Sequence, residues 1–318
     1  MTVLVSGGTG FVGRFIVADL TAAGRDVRVM ARHAPADGTL PAGVGWVRGG
    51  LDAKADHARA FAGIEAFVHA AFDHLPGRYR GGEGDDPDGF RRRNLDGTVA
   101  LFEAARRAGV GRAVFLSSRA VYGTQPPGAV LTEEMAVHPD TLYGTVKRAG
   151  EQALEALGDA AFTGVSLRVT GVYGPAAAGQ AHKWSGLFDD YLAGRPIPPR
   201  VATEVHGRDV AAAVRLVLQA EPSGPADRLF NVSDLVLDRR ELLSIVQDAA
   251  GCRHPLPERA AAAPLNVMAT ERLAGLGWKP GGRALLEETV AVLPEVRGAG
   301  RDENAARPVV PTRDAPGF

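Results

Sequence analysis

The 318-residue chain is 45% hydrophobic and 23% charged, with a formal net charge of −1. That is enough for a sizeable core in one large domain or two smaller ones, and it excludes a disordered or fibrous chain. The charge balance gives no electrostatic case for nucleic acid or a membrane surface, and a lone cysteine, Cys252, excludes an internal disulfide and the cysteine-rich zinc patterns, so no metal site is expected. No apolar run reaches the ~20 residues of a membrane span, and no signal peptide precedes the first strand. A cytoplasmic location is the expectation.

Val3, Leu4 and Val5 form a short apolar run, the pattern of a parallel strand buried on both faces. A glycine turn follows, Gly7-Gly-Thr-Gly10-Phe-Val-Gly13, and then apolar residues at helical spacing: Phe11, Val12, Phe15, Ile16 and Leu20. Strand, glycine turn and helix in succession read as a dinucleotide site. Gly7 permits the turn, Gly10 lets a pyrophosphate approach the backbone, and Gly13 lets the helix pack close. The first-turn N–H groups, those of Phe11 and Val12 among them, face the phosphates.

Asp26 to Arg32 reads as the second strand, ending about 20 residues past the glycines, where an NAD site would place an acid for the ribose 2′-OH. Ala31-Arg32-His33 stands there instead. Arg32 suits a 2′-phosphate by charge and forked geometry, so NADP is preferred over NAD, the other reading being a solvated arginine. Val44 to Arg48 is a third strand and Gly49-Gly-Leu51-Asp52 its exit. Asp52 either faces the adenine or caps a helix starting near Lys54. Ala66 to Ala71 is a fourth buried strand, whose end at Ala70 and Ala71 would let a ribose lie against the backbone; His69 within it reads as a core histidine. Residues 73–90, glycine-rich and of mixed charge, are either a lid at a strand's carboxyl end or an insertion.

Asn94 to Ala108 reads as a helix, Ala113 to Ser118 as a strand ending in the hydroxyls Ser117 and Ser118, Leu142 to Leu157 as a helix, and Val165 to Val169 as a sixth strand. This alternation predicts an α/β fold, a doubly wound parallel sheet. The Pro-rich stretch 175–204 holds one short helix, Trp184 to Ala193. A helix over Asp209–Gln219, a strand over Leu229–Ser233, a helix over Arg239–Ala250 and short helices near Met268–Leu276 and Leu285–Leu293 complete the pattern. Residues 1–174, with 205–235 returning, are the expected dinucleotide-binding part. Residues 175–204 and 236–295 form a smaller, mostly helical substrate-binding part, and 296–318 a loose tail.

Tyr143 and Lys147 lie four apart on one predicted helix and so project together. A phenol ordinarily titrates near 10. A neighbouring ammonium, or an oxidised nicotinamide, favours its phenolate, which can then take a proton from an alcohol or return one to a ketone. Ser118, at the adjacent strand end, can hydrogen-bond the same oxygen.

These segments, together with His69-Ala-Ala71, Asn94-Leu-Asp-Gly-Thr98, Ser117-Ser-Arg-Ala-Val-Tyr-Gly123, Leu167-Arg168, Val172-Tyr-Gly-Pro175, Val205-His-Gly-Arg-Asp-Val210 and Leu276-Gly-Trp-Lys-Pro280, resemble the extended short-chain dehydrogenases/reductases of the NAD(P)-dependent epimerase/dehydratase type. The resemblance implies a Rossmann fold, with Tyr143 as acid/base, Lys147 as its electrostatic partner and ribose ligand, Ser118 as substrate anchor and Ser117 near the nicotinamide. It places Gly7, Gly10, Phe11, Val12, Gly13, Arg32, Leu51, Asp52, Ala70, Ala71 and Asn94 at the NAD or NADP cofactor. Arg119, Gly171 and His206 fall on the substrate side. It also implies a homodimer through a four-helix bundle of 94–108 and 142–157, and a nucleotide sugar as substrate, as for a UDP-sugar 4-epimerase. An NADPH-dependent ketoreductase of a small carbonyl compound and a silent NAD(P)-binding regulator are the alternatives. Arg119-Ala120 stand where 4,6-dehydratases carry an acidic pair, which disfavours dehydration. Thr170-Gly171 replace a frequent asparagine. Arg168 is open between a pyrophosphate contact and a structural ion pair, and His206 with Arg208 between a phosphate grip and an exposed turn.

Overall fold

The computed structural model describes residues 1–75, 82–177, 179–221 and 224–302. The chain runs β1 (Thr2–Ser6), α1 (Phe11–Ala22), β2 (Asp26–Ala31), β3 (Gly45–Arg48), α2 (Ala58–Phe61), β4 (Ala66–His69), α3 (Pro87–Arg91), α4 (Gly97–Arg107), β5 (Arg112–Ser118), β6 (Val130–Leu131), α5 (Leu142–Leu157), β7 (Thr163–Val169) and β8 (Gly171–Tyr173). There follow α6 (Ser185–Leu192), β9 (Val201–His206), α7 (Gly207–Gln219), β10 (Leu229–Val232), β11 (Leu235–Asp238), α8 (Arg239–Ala250), β12 (Val267–Met268), α9 (Glu271–Gly275), α10 (Gly282–Val292) and α11 (Pro294–Asp302).

Seven strands form one sheet in the order β10-β7-β5-β4-β1-β2-β3, and every pair in it is parallel. This is the doubly wound sheet that the alternation predicts. The order reverses between β1 and β4, and open α/β sheets bind ligands at the strand carboxyl ends beside such a reversal. Burial explains the strand compositions. Val3, Val5, Val29, Val68 and Val165 face α1 and α7, while Leu4, Phe67, Phe102, Phe115 and Leu154 fill the opposite layer under α4 and α5. A third cluster, with Tyr173, Trp184, Phe188, Leu243 and Val290, holds the C-terminal part together.

Four boundaries differ from the sequence reading. Asp52 caps no helix at Lys54. Its carboxylate accepts the Lys54 N–H at 3.0 Å in a local turn, and α2 begins only at Ala58. The helix expected from Asn94 starts earlier, with α3, and passes through a π-turn over Arg92–Asp96 before α4. The Pro-rich stretch ends in a strand, β9, which pairs parallel with β8 and antiparallel with β11. The tail expected to be loose from 296 begins as α11, whose Val296 is buried in the third cluster; residues 303–318 lie outside the described residues. So do residues 76–81 of the expected lid. Among the described residues no helix is long and apolar enough to cross a membrane.

Candidate active site

The glycine turn is built by contacts that a side chain would break. Gly7 has φ +72, and a Cβ there would lie 2.6 Å from Ala71 N. The ends of β1 and β4 therefore touch backbone to backbone, with Ala70 N–H donating to Ser6 O at 3.1 Å. A Cβ on Gly13 would lie 2.0 Å from Gly7 O, which is how closely α1 approaches the turn. Gly10 is the N-cap of α1 and offers no side-chain cap, and no acid stands in the first turn. The N–H groups of Phe11 and Val12 thus open an uncapped, electropositive helix start. Arg14 adds to it. Its guanidinium lies over the Phe11 and Phe15 rings, 5.4 and 4.7 Å from their centroids, with Nε and Nη2 buried and unpartnered. Donors without acceptors at a helix start fit a pyrophosphate.

Arg32 stands exposed at the end of β2, 4.0 Å from Asp73. Leu51 presents its carbonyl to the first turn of α4 at Gly97. Asn94 is buried and grips the backbone of Asp73 twice, accepting its N–H at 2.7 Å and donating to its carbonyl at 2.6 Å. Its side chain therefore fixes the exit of β4. His69 belongs to the same scaffold. The Thr98 hydroxyl gives its only proton to Asn94 O, so it accepts from His69 Nε2–H at 2.8 Å, and Nδ1 accepts from Ser6 Oγ at 2.6 Å. Burial, aided by Lys147, pulls this imidazole down to about 3. It is a neutral core histidine.

The catalytic candidates meet at the ends of β5 and α5. Thr141 caps α5 by accepting the Gly144 N–H. A Cβ on Gly144 would lie 2.5 Å from Ala120 O, so α5 starts directly against the 3₁₀ turn that follows Ser118. Tyr143 is thereby held at the amino end of α5, against the turn that follows Ser118, whose Oγ accepts the Ala120 N–H at 3.1 Å. One turn on, Lys147 is 4% exposed, and its Nζ donates to Leu116 O at 2.7 Å. The ammonium lies 4.4 Å from the Phe72 ring centroid, 4.8 Å from Phe115 and 5.9 Å from Tyr143. Burial pulls it down to about 7, against a smaller opposing pull from Glu151. Phe72 also meets the Tyr143 ring edge-on at 5.0 Å. This aromatic wall escapes sequence reading, because Phe72 lies just past a strand end and Phe115 looks like ordinary core.

The other expected residues are held by the following contacts. Ser117 is buried and donates to Glu151 at 2.5 Å, and Arg168 pairs with the same carboxylate through Nε and Nη2 at 3.0 and 2.9 Å. Arg168 is thus a structural ion pair, and the Ser117 hydroxyl belongs to that network. His206 is buried at the glycine-turn end of the cleft. Its Nδ1 accepts the Arg208 N–H at the start of α7, and its ring lies 5.5 Å from Phe15. Burial lowers it to about 4. Arg119 donates to Asn266 O at 2.9 Å. Gly171 opens β8, next to Lys183 and Glu204.

Residues 3–233 match the model of the NAD dependent epimerase/dehydratase family. The chain belongs to that family. A UDP-glucose 4-epimerase of Streptomyces lividans is 30% identical over 313 residues, spanning 87% of this chain and 91% of its own. Among solved structures, the Thermus thermophilus UDP-glucose 4-epimerase in complex with NAD is 31% identical, with a TM-score of 0.74, covering 94% of this chain and all of that one. MoeE5 in complex with UDP-glucuronic acid and NAD is 27% identical, with a TM-score of 0.73 over 94% of this chain and 99% of its own. The fold class and family read from the sequence are those found.

Proposed function

We propose that this chain is an NAD(P)-dependent epimerase acting at a secondary alcohol carbon of a nucleotide sugar. One observation carries the reading: Tyr143 and Lys147 stand one turn apart at the amino end of α5, which packs against the turn that follows Ser118 at the carboxyl end of β5, in the same fold as a glycine turn that fits a pyrophosphate. The relatives that span nearly all of the chain, and the sugar nucleotides bound in the neighbouring structures, support the same substrate class.

Ser118 has its Oγ oriented by the Ala120 N–H, leaving its proton to donate to the substrate oxygen. Tyr143 takes the hydroxyl proton as hydride leaves the carbon, and returns it when hydride comes back. The bound nicotinamide supplies the hydride acceptor. Lys147 lowers the cost of the phenolate by its charge, and Phe72 and Phe115 hold that charge out of water, where it acts more strongly. A nicotinamide held there would supply hydride to either face of the carbonyl carbon, the chemistry epimerisation needs.

Arg32, exposed at the ribose end, favours NADP by its charge; Arg32→Ala then weakens NADP binding at least tenfold and leaves NAD unchanged. Pairing of α4 and α5 with their copies in a second subunit would form the homodimer, which sedimentation can test. The deciding experiment identifies the nucleotide that travels with purified protein, then measures interconversion of UDP-glucose and UDP-galactose by wild type and Tyr143→Phe. Epimer formation lost in the variant supports the proposal. Net formation of reduced cofactor, or NADPH-dependent reduction of a carbonyl compound with no epimer, replaces it with the dehydrogenase or reductase. Equal inactivity of both proteins towards every substrate favours a silent binding protein.

A further inference from the structure

β8 follows directly on β7 at the carboxyl end of the seven-stranded sheet. It begins at Gly171, two residues beyond Val169, which stands in register with Ser118 of β5. It ends at Tyr173, next to Gly174, whose Cβ position lies 2.8 Å from the Phe15 ring of α1. One face of the small sheet, carrying Val205, is sealed in the core under α1 and α7. The other carries Gly171 and, in register with it on β9, Glu204. That face looks toward the C-terminal part, where Tyr173 stacks on Trp184 with centroids 5.0 Å apart.

A Cβ built on Gly171 would lie 2.5 Å from Lys183 Nζ and 2.8 Å from Glu204 Oε2. The space left by the glycine is filled by an ion pair between Lys183, arriving from the loop before α6, and Glu204. The carboxylate side chain is 7% exposed and the lysine 33%, so the pair is sealed from below and open at its ammonium end. Arg200 is the other cation acting on Glu204. Burial of a carboxylate costs stability unless it is well paired, and the packing of the small sheet gives no reason for a charge at Gly171.

We propose that Lys183 and Glu204 are specificity residues that read the sugar ring of the substrate, the ammonium donating to its hydroxyls and the carboxylate accepting from them. The inference rests on the nucleotide-sugar reading above. A neutral pair carrying both donors and acceptors suits vicinal hydroxyls. A diphosphate calls for donors alone. The pair fills the Cβ position of Gly171, two residues beyond the register partner of Ser118, which sets it on the Ser118 side of the proposed site.

The test is calorimetric titration of NAD-loaded protein with UDP-glucose and, separately, with UDP. The wild type is compared with the charge-free double variant Lys183→Met, Glu204→Gln, and with Lys183→Arg. The expected result is a loss of at least tenfold in UDP-glucose affinity for the double variant, UDP affinity within twofold of wild type, and recovery to within threefold in Lys183→Arg. If the double variant does not fold, Lys183→Met alone reads the same ratio. Equal weakening of both ligands assigns the pair to the diphosphate or to the fold and overturns the proposal, as does no weakening of either. Wild type that binds UDP and UDP-glucose equally refutes the sugar contact alone. Wild type that binds neither removes the nucleotide-sugar reading itself, and this inference with it.

Discussion

Lys147 is placed for chemistry at a cost to the fold, and that cost can be measured. In the unfolded chain its ammonium titrates at the ordinary 10.5; in the fold, burial holds it at about 7. Each pH unit of difference is worth about 1.4 kcal/mol. Below pH 7 the folded protein therefore carries a penalty of about 5 kcal/mol. The penalty shrinks as pH rises from 7 to 10.5, where only the unfolded chain still binds the proton, and vanishes above 10.5, where neither state does. Lys147→Met removes the charge and keeps an adaptable apolar stem against Phe72 and Phe115. It leaves Leu116 O without its 2.7 Å donor, a loss of about 1–3 kcal/mol. The cofactor-free variant is then more stable than wild type by about 2–4 kcal/mol at pH 6.5, equivalent to a rise in Tm of roughly 5 °C. Near pH 9 the two proteins melt within about 1 kcal/mol of each other, since the relieved penalty and the lost hydrogen bond cancel. Turnover is abolished throughout. Calorimetric melting at both pH values is the assay. A variant less stable than wild type at pH 6.5, or a gap that does not change with pH, would refute the reasoning.

Gly13→Ala forces a methyl group to within 2.0 Å of Gly7 O, so the turn must open and NAD affinity falls at least a hundredfold by titration; a change under threefold refutes the contact. Glu151→Gln strips Ser117, Arg148 and Arg168 of their shared carboxylate and leaves the Arg168 charge buried. Denaturant unfolding should show a loss of about 3–5 kcal/mol, and a loss under 1 kcal/mol would count against a structural role. Phe72→Leu removes the ring 4.4 Å from the Lys147 ammonium, a contact worth up to about 2 kcal/mol. The rate falls about tenfold, and the limb of the pH profile set by Lys147 moves to higher pH as water reaches the ammonium. Phe72→Tyr restores both, and an unshifted profile in Phe72→Leu would show that the ring does not shield the charge.

What could be read from the sequence was local. Strand, glycine turn and helix lie within some twenty residues, and Gly10 and Gly13 answer to Gly7 a few positions away, whereas Gly7 itself answers to Ala70 and Ala71 of β4's distant exit. Tyr143 and Lys147 share one helix, and the bounds read for it, Leu142 to Leu157, are the bounds found. What could not be read depends on pairs distant in the chain. Glu151 meets Arg168 and Ser117, Phe72 meets Tyr143, and Lys183 meets Glu204. None of these separations leaves a periodicity. β9 was hidden because its residues mix Thr, Glu and His in a stretch dominated by prolines, and its burial comes from β8 and β11. Arg32 and Asn94 are read from the sequence as cofactor residues, but only the fold reveals that Asn94 grips the backbone of Asp73, whose carboxylate stands 4.0 Å from Arg32.

That grip bears on how the two ends of the cleft communicate. Five consecutive residues touch every part of the site. His69 is fixed between Ser6 and Thr98, and Ala70 and Ala71 lie against Gly7. Phe72 covers Lys147 and Tyr143, and Asp73 is held by Asn94 and Arg93 with Arg32 nearby. In a close-packed structure such a run cannot shift at one residue without shifting at the next. A dinucleotide bound on the glycine turn, as proposed, would act on the same backbone that carries Phe72 to the ammonium. Occupancy at the phosphate end would then be coupled to the protonation of Lys147, the coupling that the proposed acid/base phenol needs if it is to work only when the hydride acceptor is in place.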